Sequence, residues 1–286
     1  MVGWARRISD KSFLPIPLEP VNLTDSQLVE QGIRRVKPDL VIHSAAMSDV
    51  DACEQNPSAA FEVNAGAVEK IAKACASVGA ILIAISTDYV FDGRSPLPYR
   101  EEDPTHPLSV YARSKLEGEE AALRNVPRCL VLRVSGLFGS GRPNFVSSAM
   151  ENFHKGRPVK VVTDQRNSPS YTLDLAEAIR RLVDRLSKNP EEASPEGCLH
   201  GVFHLSNAGG ATRLEVAEAI AAALRAPTSL IEKRTWAALN RPAERPANSR
   251  LDCTRLARLT GIALRPWEQA LSAFIDLAAL DPQGGP

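Results

Sequence analysis

Three unbroken apolar runs constrain this chain most: Leu40-Val41-Ile42-His43, Ile81-Leu82-Ile83-Ala84-Ile85 and Cys129-Leu130-Val131-Leu132-Arg133-Val134. They do not alternate apolar with polar residues, so each reads as a strand buried on both faces. Helical spacing fills the gaps between them. A helix over Ser26–Val36, capped by Thr24 or Asp25, precedes the first run and ends before Pro38. From Pro57 to Val78 apolar residues recur as Phe61, Val68, Ile71 and Cys75, with Gly79 placed as a C-cap. A further helix runs from about Ser109 to Arg124. Strands that alternate with helices imply a parallel sheet with helices on both faces, a doubly wound α/β fold.

The ends of the chain are less regular. Val2-Gly3-Trp4-Ala5 reads as a short strand and Val21–Asp25 as another that runs into a helix cap. After Phe138 the alternation loosens. Helices are expected near Phe145–His154, Leu173–Leu186 and Leu214–Leu224, and strands at Val159–Val162 and Val202–Leu205. Residues 1–140 are therefore expected to form the regular, doubly wound domain. Residues 141–286 are expected to be mainly a smaller substrate lobe, with some segments returning to the first domain.

Charge narrows the function classes. Lys+Arg and Asp+Glu number 34 each, so no net field points to a nucleic-acid or membrane surface. The five cysteines are odd in number and contain no CxxC pair, which argues against a disulfide framework or a zinc site. A reducing cytoplasm is the expected location, and no metal is expected.

The chemistry starts at Tyr111-Ala112-Arg113-Ser114-Lys115. A tyrosine and a lysine four apart share one helix face. A phenol titrates near pH 10, and a neighbouring ammonium lowers that value towards useful proton transfer. Upstream, the strand ending at Ile85 runs into Ser86-Thr87-Asp88-Tyr89-Val90-Phe91-Asp92-Gly93. The carboxyl ends of parallel strands are where α/β sheets bind ligands. His43-Ser44-Ala45-Ala46 occupies another such strand end, with small residues that let backbone approach a ligand.

These strings, with Tyr99-Arg100-Glu101-Glu102-Asp103, Pro107–Tyr111, Asp49–Glu54, Val63-Asn64-Ala65, Gly141–Val146, Asp164–Ser170 and Arg245–Asp252, closely resemble the dTDP-4-dehydrorhamnose reductases of the extended short-chain dehydrogenase/reductase family. The resemblance spans about Val2 to Leu280. It implies a Rossmann-like fold and NADPH-dependent reduction of the 4-keto group of a nucleotide-linked 6-deoxysugar. Tyr111 would donate the proton, Lys115 would lower its pKa and hold the ribose, and Thr87 would bind the ketone oxygen. Ser44, Ala45 and Ala46 would pass under the nicotinamide ribose. Ser86, Asp88, Tyr89, Asn144, Gln165 and Arg250 are implied substrate contacts, and a homodimer is the assembly the resemblance suggests.

Arg6-Arg7 after the first strand favours NADP, since an arginine there accommodates a 2′-phosphate where NAD calls for an acid. Relative to the family, the first strand and its glycine-rich phosphate loop are missing. If Val2–Ala5 is the second strand, a whole sheet calls for about 30 further residues, one strand–helix unit. The chain as written is then expected to bind NADPH weakly. Two departures concern the sugar site. Leu137 and Phe138 stand where an aromatic that packs on the sugar is usual, and Pro169-Ser170 replaces a usual Pro-Thr. DYVFDG, YREED and Leu251-Asp252-Cys253 equally resemble the β subunit of methionine adenosyltransferase, a regulatory NADP-binding protein. A nucleotide-sugar epimerase or dehydratase with tightly held NAD is a third reading.

Overall fold

The computed structural model describes residues 1–5 and 16–280. They fall into two compact units: Met1–Ile85 with Val110–Val131 and Asn189–Gly201, and Ser86–Ser109 with Leu132–Lys188 and Val202–Pro286.

The first unit is built in the order β1 (Gly3–Ala5), β2 (Leu18–Pro20), α1 (Ser26–Val36), β3 (Leu40–His43), α2 (Val50–Gln55), α3 (Pro57–Phe61), α4 (Ala67–Val78), β4 (Ile81–Thr87), α5 (Val110–Asn125) and β5 (Cys129–Val134), the last residues of β4 and β5 belonging to the second unit. β3 and β4 pair in parallel, Leu40 opposite Ile81 and His43 opposite Ala84. β1 pairs in parallel with β2 in a separate two-stranded sheet. The strand expected at Val21–Asp25 thus lies earlier, at Leu18–Pro20. The reason is local: Asn22 Oδ1 accepts the Thr24 N–H at 3.2 Å and the Thr24 hydroxyl at 3.1 Å, which turns the chain out of the ladder.

Asp25 is the cap of α1. Its Oδ1 accepts the Gln27 and Leu28 N–H groups at 2.9 and 3.1 Å, satisfying two of the donors a helix start leaves open. One face of α1 buries Val29 and Ile33. α4 packs against both α1 and α5, and its buried stripe of Val68, Ile71, Ala72 and Cys75 follows the helical period read in the sequence. Between α3 and α4 the chain makes a π-helical turn, Glu62–Gly66, which carries Asn64. Such turns are frequent at functional sites.

The second unit continues with β6 (Leu137–Phe138), α6 (Phe145–His154), β7 (Val159–Val162), β8 (Arg166–Asn167), β9 (Ser170–Tyr171), α7 (Thr172–Lys188), β10 (Gly201–His204), β11 (Ala211–Thr212), α8 (Arg213–Leu224), β12 (Ile231–Arg234), α9 (Thr254–Thr260) and α10 (Trp267–Leu280), the first residue of β10 belonging to the first unit. β10 joins the main sheet, whose strand order is β10-β5-β4-β3. β12 pairs in parallel with β7, and β6 with β9. The core of this unit gathers Met150, Phe153, Ile220 and Phe274. Phe138 belongs to it, stacked on Tyr171 with ring centroids 5.6 Å apart, while Leu137 is 48% exposed. The aromatic of this segment is therefore core, and the neighbouring leucine is the side chain left at the surface. No helix among the described residues is long and apolar enough to cross a membrane.

Candidate active site

In the first unit the YxxxK helix is α5. Tyr111 lies in its first turn, half-buried, its ring against a small cluster of Cys53, Ala60 and Val110 with Met47 and Phe61. Lys115 follows one turn later on the same face. It is buried, and its Nζ donates to the Ile85 carbonyl at 2.7 Å. Burial lowers the Lys115 pKa to about 8, with Glu119 one turn further pulling it back up. An ammonium has three donors. The bond to Ile85 uses one of them.

Asn64 connects this helix to the strand-end loop after His43. Its Oδ1 accepts the Met47 N–H at 2.8 Å. Its Nδ2 donates to the Met47 carbonyl and to Ser114 Oγ, both at 3.0 Å. Ser114 Oγ in turn donates to the Tyr111 carbonyl at 2.8 Å. One fully buried amide thus fixes the loop to the helical turn between Tyr111 and Lys115. Ser44 and Ala45 are small and exposed, which is compatible with the dinucleotide contact expected of Ser44–Ala46. Arg6 and Arg7, the residues read for the 2′-phosphate, lie outside the described residues.

In the second unit β4 ends in Ser86 and Thr87, both buried. Thr87 Oγ1 accepts the Tyr89 N–H at 3.2 Å and donates to Asp88 Oδ1 at 3.2 Å. Asp88 is enclosed; burial raises its pKa to about 6, against hydroxyls of Ser249, Ser135 and Thr87 that pull it down. The Tyr89 phenol is likewise raised by burial and by Asp88, while Arg213 and Arg245 act in the opposite sense. The Arg213 guanidinium lies 5.0 Å from the Phe145 ring centroid, and that of Arg245 lies 4.3 Å from the Trp236 ring. Burial and the charges of Arg245 and Arg241 lower the Arg213 pKa, so three cations act on one locality.

The remaining expected contacts are placed as follows. Asn144 is the N-cap of α6: it accepts the Ser147 N–H at 3.1 Å and donates to the Gly139 and Arg142 carbonyls at 2.8 and 3.1 Å. Arg250 donates to Asn248 Oδ1 at 2.9 Å and to the Pro96 carbonyl at 2.5 Å. Gln165 Nε2 is buried and finds no protein acceptor, which suits a ligand or water partner. Sequence reading gave Asn64 and Arg245 no role beyond their place in family-like strings, and missed Arg213 and Trp236. For Arg213 a signal existed, because Thr212 and Glu215 form a capping box that puts it in the first turn of α8.

Buried imidazoles give the unfolding equilibrium a pH dependence. Burial and the Lys115 charge push His43 down to about 4, and burial pushes His204 down to about 3. Only the unfolded chain takes up these two protons as pH falls from about 6.5, so stability is lost across pH 6.5–4. Asp88 runs the other way, since its raised pKa adds stability as pH falls below about 6. Glu101, raised by burial, acts in the same sense as Asp88, so the loss from the two imidazoles is partly offset and is greatest in the upper part of that window, on the order of 1 kcal/mol per pH unit. Urea unfolding at pH 6.5 and 4.5 measures it, and His43→Gln is expected to flatten the slope. Equal slopes for the two proteins contradict the assignment.

Comparison with known proteins agrees with this layout. Residues 3–280 match the family described as the RmlD substrate binding domain. A dTDP-4-dehydrorhamnose reductase from Sinorhizobium fredii is 36% identical over 269 residues, 93% of this chain and 89% of that protein. Methionine adenosyltransferase 2 subunit beta from Bos taurus is 38% identical over 251 residues, 86% of this chain but 72% of that protein. The solved structure of a dTDP-4-dehydrorhamnose reductase from Bacillus anthracis in complex with NADP superposes with a TM-score of 0.82 at 28% identity, covering 93% of each chain. With a Rossmann-type parallel sheet, a YxxxK helix and a match from residue 3 to residue 280, the chain belongs to the RmlD substrate-binding family.

Proposed function

We propose that this protein is an NADPH-dependent oxidoreductase that reduces the 4-keto group of a nucleotide-linked 6-deoxysugar, as its dTDP-4-dehydrorhamnose reductase relatives are named for doing. The observation that carries the reading is the Tyr111–Lys115 pair on one face of α5, with Lys115 buried and anchored to the Ile85 carbonyl. NADPH, when bound, supplies the hydride. Tyr111 gives its phenolic proton to the ketone oxygen as that oxygen becomes an alcohol. Lys115 favours the phenolate left behind and holds the ribose. Thr87 orients the ketone oxygen through its hydroxyl and stabilises charge developing there. The reading assigns the cofactor to residues 1–140, with Arg6 and Arg7 at the 2′-phosphate, and the sugar mainly to the lobe from residue 141 on. It takes the enzyme as cytoplasmic and homodimeric; five free cysteines, three of them buried, suit a reducing compartment.

Positive charge around Tyr89 supports a diphosphate-bearing substrate. Charge-assisted hydrogen bonds contribute about 1.5–3 kcal/mol each, roughly ten- to a hundredfold in affinity. Arg213→Met and Arg245→Met are each expected to raise KM for the nucleotide sugar by that factor, with kcat largely kept. The primary test is ketone-dependent oxidation of NADPH with a dTDP-4-keto-6-deoxysugar. Stoichiometric capture of a methionine adenosyltransferase catalytic subunit without such turnover favours the regulatory-subunit reading instead. That reading has less behind it, because the match covers a smaller share of the relative.

A further inference from the structure

Asp88 is 3% exposed, and its contacts are hydroxyls. Oδ2 accepts from Ser135 Oγ at 2.7 Å and from Ser249 Oγ at 2.5 Å. Oδ1 accepts from Thr87 Oγ1 at 3.2 Å. Ser135 Oγ also accepts the Ser168 N–H at 3.1 Å, and Ser168 Oγ accepts the Leu251 N–H at 3.2 Å. One carboxyl group thus ties together the end of β4, the loop after β5, the loop that leads into β9 and the segment 248–251. A buried carboxylate is costly to desolvate, and hydroxyl donors offset only part of that cost. Its loss would leave the buried Thr87, Ser135 and Ser249 hydroxyls without their common acceptor, so the carboxyl joins these four segments by hydrogen bonding.

One of these hydrogen bonds also bears on the site, through its direction. Thr87 has a single hydroxyl proton. While that proton is given to Asp88 Oδ1, and Oγ1 accepts from Tyr89, the hydroxyl has only a lone pair left to offer a ligand. If Asp88 carries a proton on Oδ1, the bond reverses. Asp88 then donates to Thr87 Oγ1, and the Thr87 proton is free to point at a ketone oxygen. We propose that Asp88 is a positioning residue that sets the polarity of the Thr87 hydroxyl, and so decides whether Thr87 can donate to the substrate ketone. The proposal rests on the reductase reading and on Thr87 as the ketone-binding group. The raised pKa of Asp88, caused by burial, is consistent with a group that exchanges a proton near pH 6 in the folded protein.

The experiment compares Asp88→Ala and Asp88→Asn, each with Thr87 present and with Thr87→Val. Loss of one such donor typically costs about 10²-fold in kcat. Asp88→Ala leaves the Thr87 hydroxyl free to rotate instead of aimed at the ketone, so it is expected to lower kcat by up to that extent while KM for NADPH is unchanged. Asp88→Asn keeps an acceptor for the two serines and turns an N–H towards Thr87, so it is expected to rescue most of the loss. In the Thr87→Val background neither Asp88 variant is expected to lower kcat further. Asp88→Asn as damaged as Asp88→Ala overturns the proposal, and so does an undiminished Asp88→Ala effect in the Thr87→Val background. If Asp88→Ala does not fold, Ser249→Ala replaces it, and its kcat loss must likewise depend on Thr87. A wild-type protein without ketone-dependent NADPH oxidation sinks the reductase reading and the proposal with it. Failure confined to the variants sinks the proposal alone.

Discussion

Replacing Tyr111 by Phe is expected to reduce ketone-dependent NADPH oxidation by ~10²–10⁴-fold, the range for loss of a positioned proton donor. The fold is expected to survive. The Tyr111 ring packs against the buried cluster of Cys53, Ala60 and Val110, and a phenylalanine keeps that packing. Lys115 keeps its bond to the Ile85 carbonyl, so its ammonium stays in place. Steady-state turnover, NADPH affinity and thermal unfolding together separate the chemical role from a structural one. Turnover near that of the unaltered protein excludes Tyr111 as the donor.

The largest expected effect on stability lies one helical turn further along α5. Gly118 sits where α5 meets the π-helical turn, and a Cβ there would stand 2.2 Å from the Asn64 carbonyl oxygen. That atom is backbone in the turn that holds the strand-end loop, so it has little room to yield. Overpacking a core site costs about 1–3 kcal/mol, and Gly118→Leu belongs at or above the upper end. Gly118→Ala is expected to destabilise less but measurably, read as a lower urea midpoint with an unchanged slope. A Gly118→Ala protein with an unmoved midpoint means that α5 does not pack on this turn as described.

Elements with several consecutive signals were legible in the sequence. α1 runs over Ser26–Val36 as its cap and period predict, with Asp25 as the capping residue. The three apolar runs are the strands β3, β4 and β5 of the main sheet. The second unit was harder, because β6, β8, β9 and β11 have two residues each and no period can show in two residues. Polar residues near the site were harder still. Asn144 looks like a ligand contact, yet the same carboxamide also makes a good helix cap, and only the positions of Ser147 and Gly139 show that it caps. Arg245 stacks on Trp236 and acts on Tyr89, far away in sequence, so no local pattern announces it. Asn64 falls in the same class: its partners are 17 and 50 residues away.

The Asn64 bridge also bears on how such a protein can be re-engineered. Loops at strand ends are usually treated as interchangeable parts, swapped to change which dinucleotide a scaffold accepts. Here the loop after His43 is joined through one amide to the turn that carries Tyr111. A transplanted loop that does not present a backbone N–H and carbonyl to position 64 leaves that amide unsatisfied inside the protein, and the strain reaches the serine between Tyr111 and Lys115. The unit to exchange is therefore the loop, the π-helical turn and the first turns of α5 together.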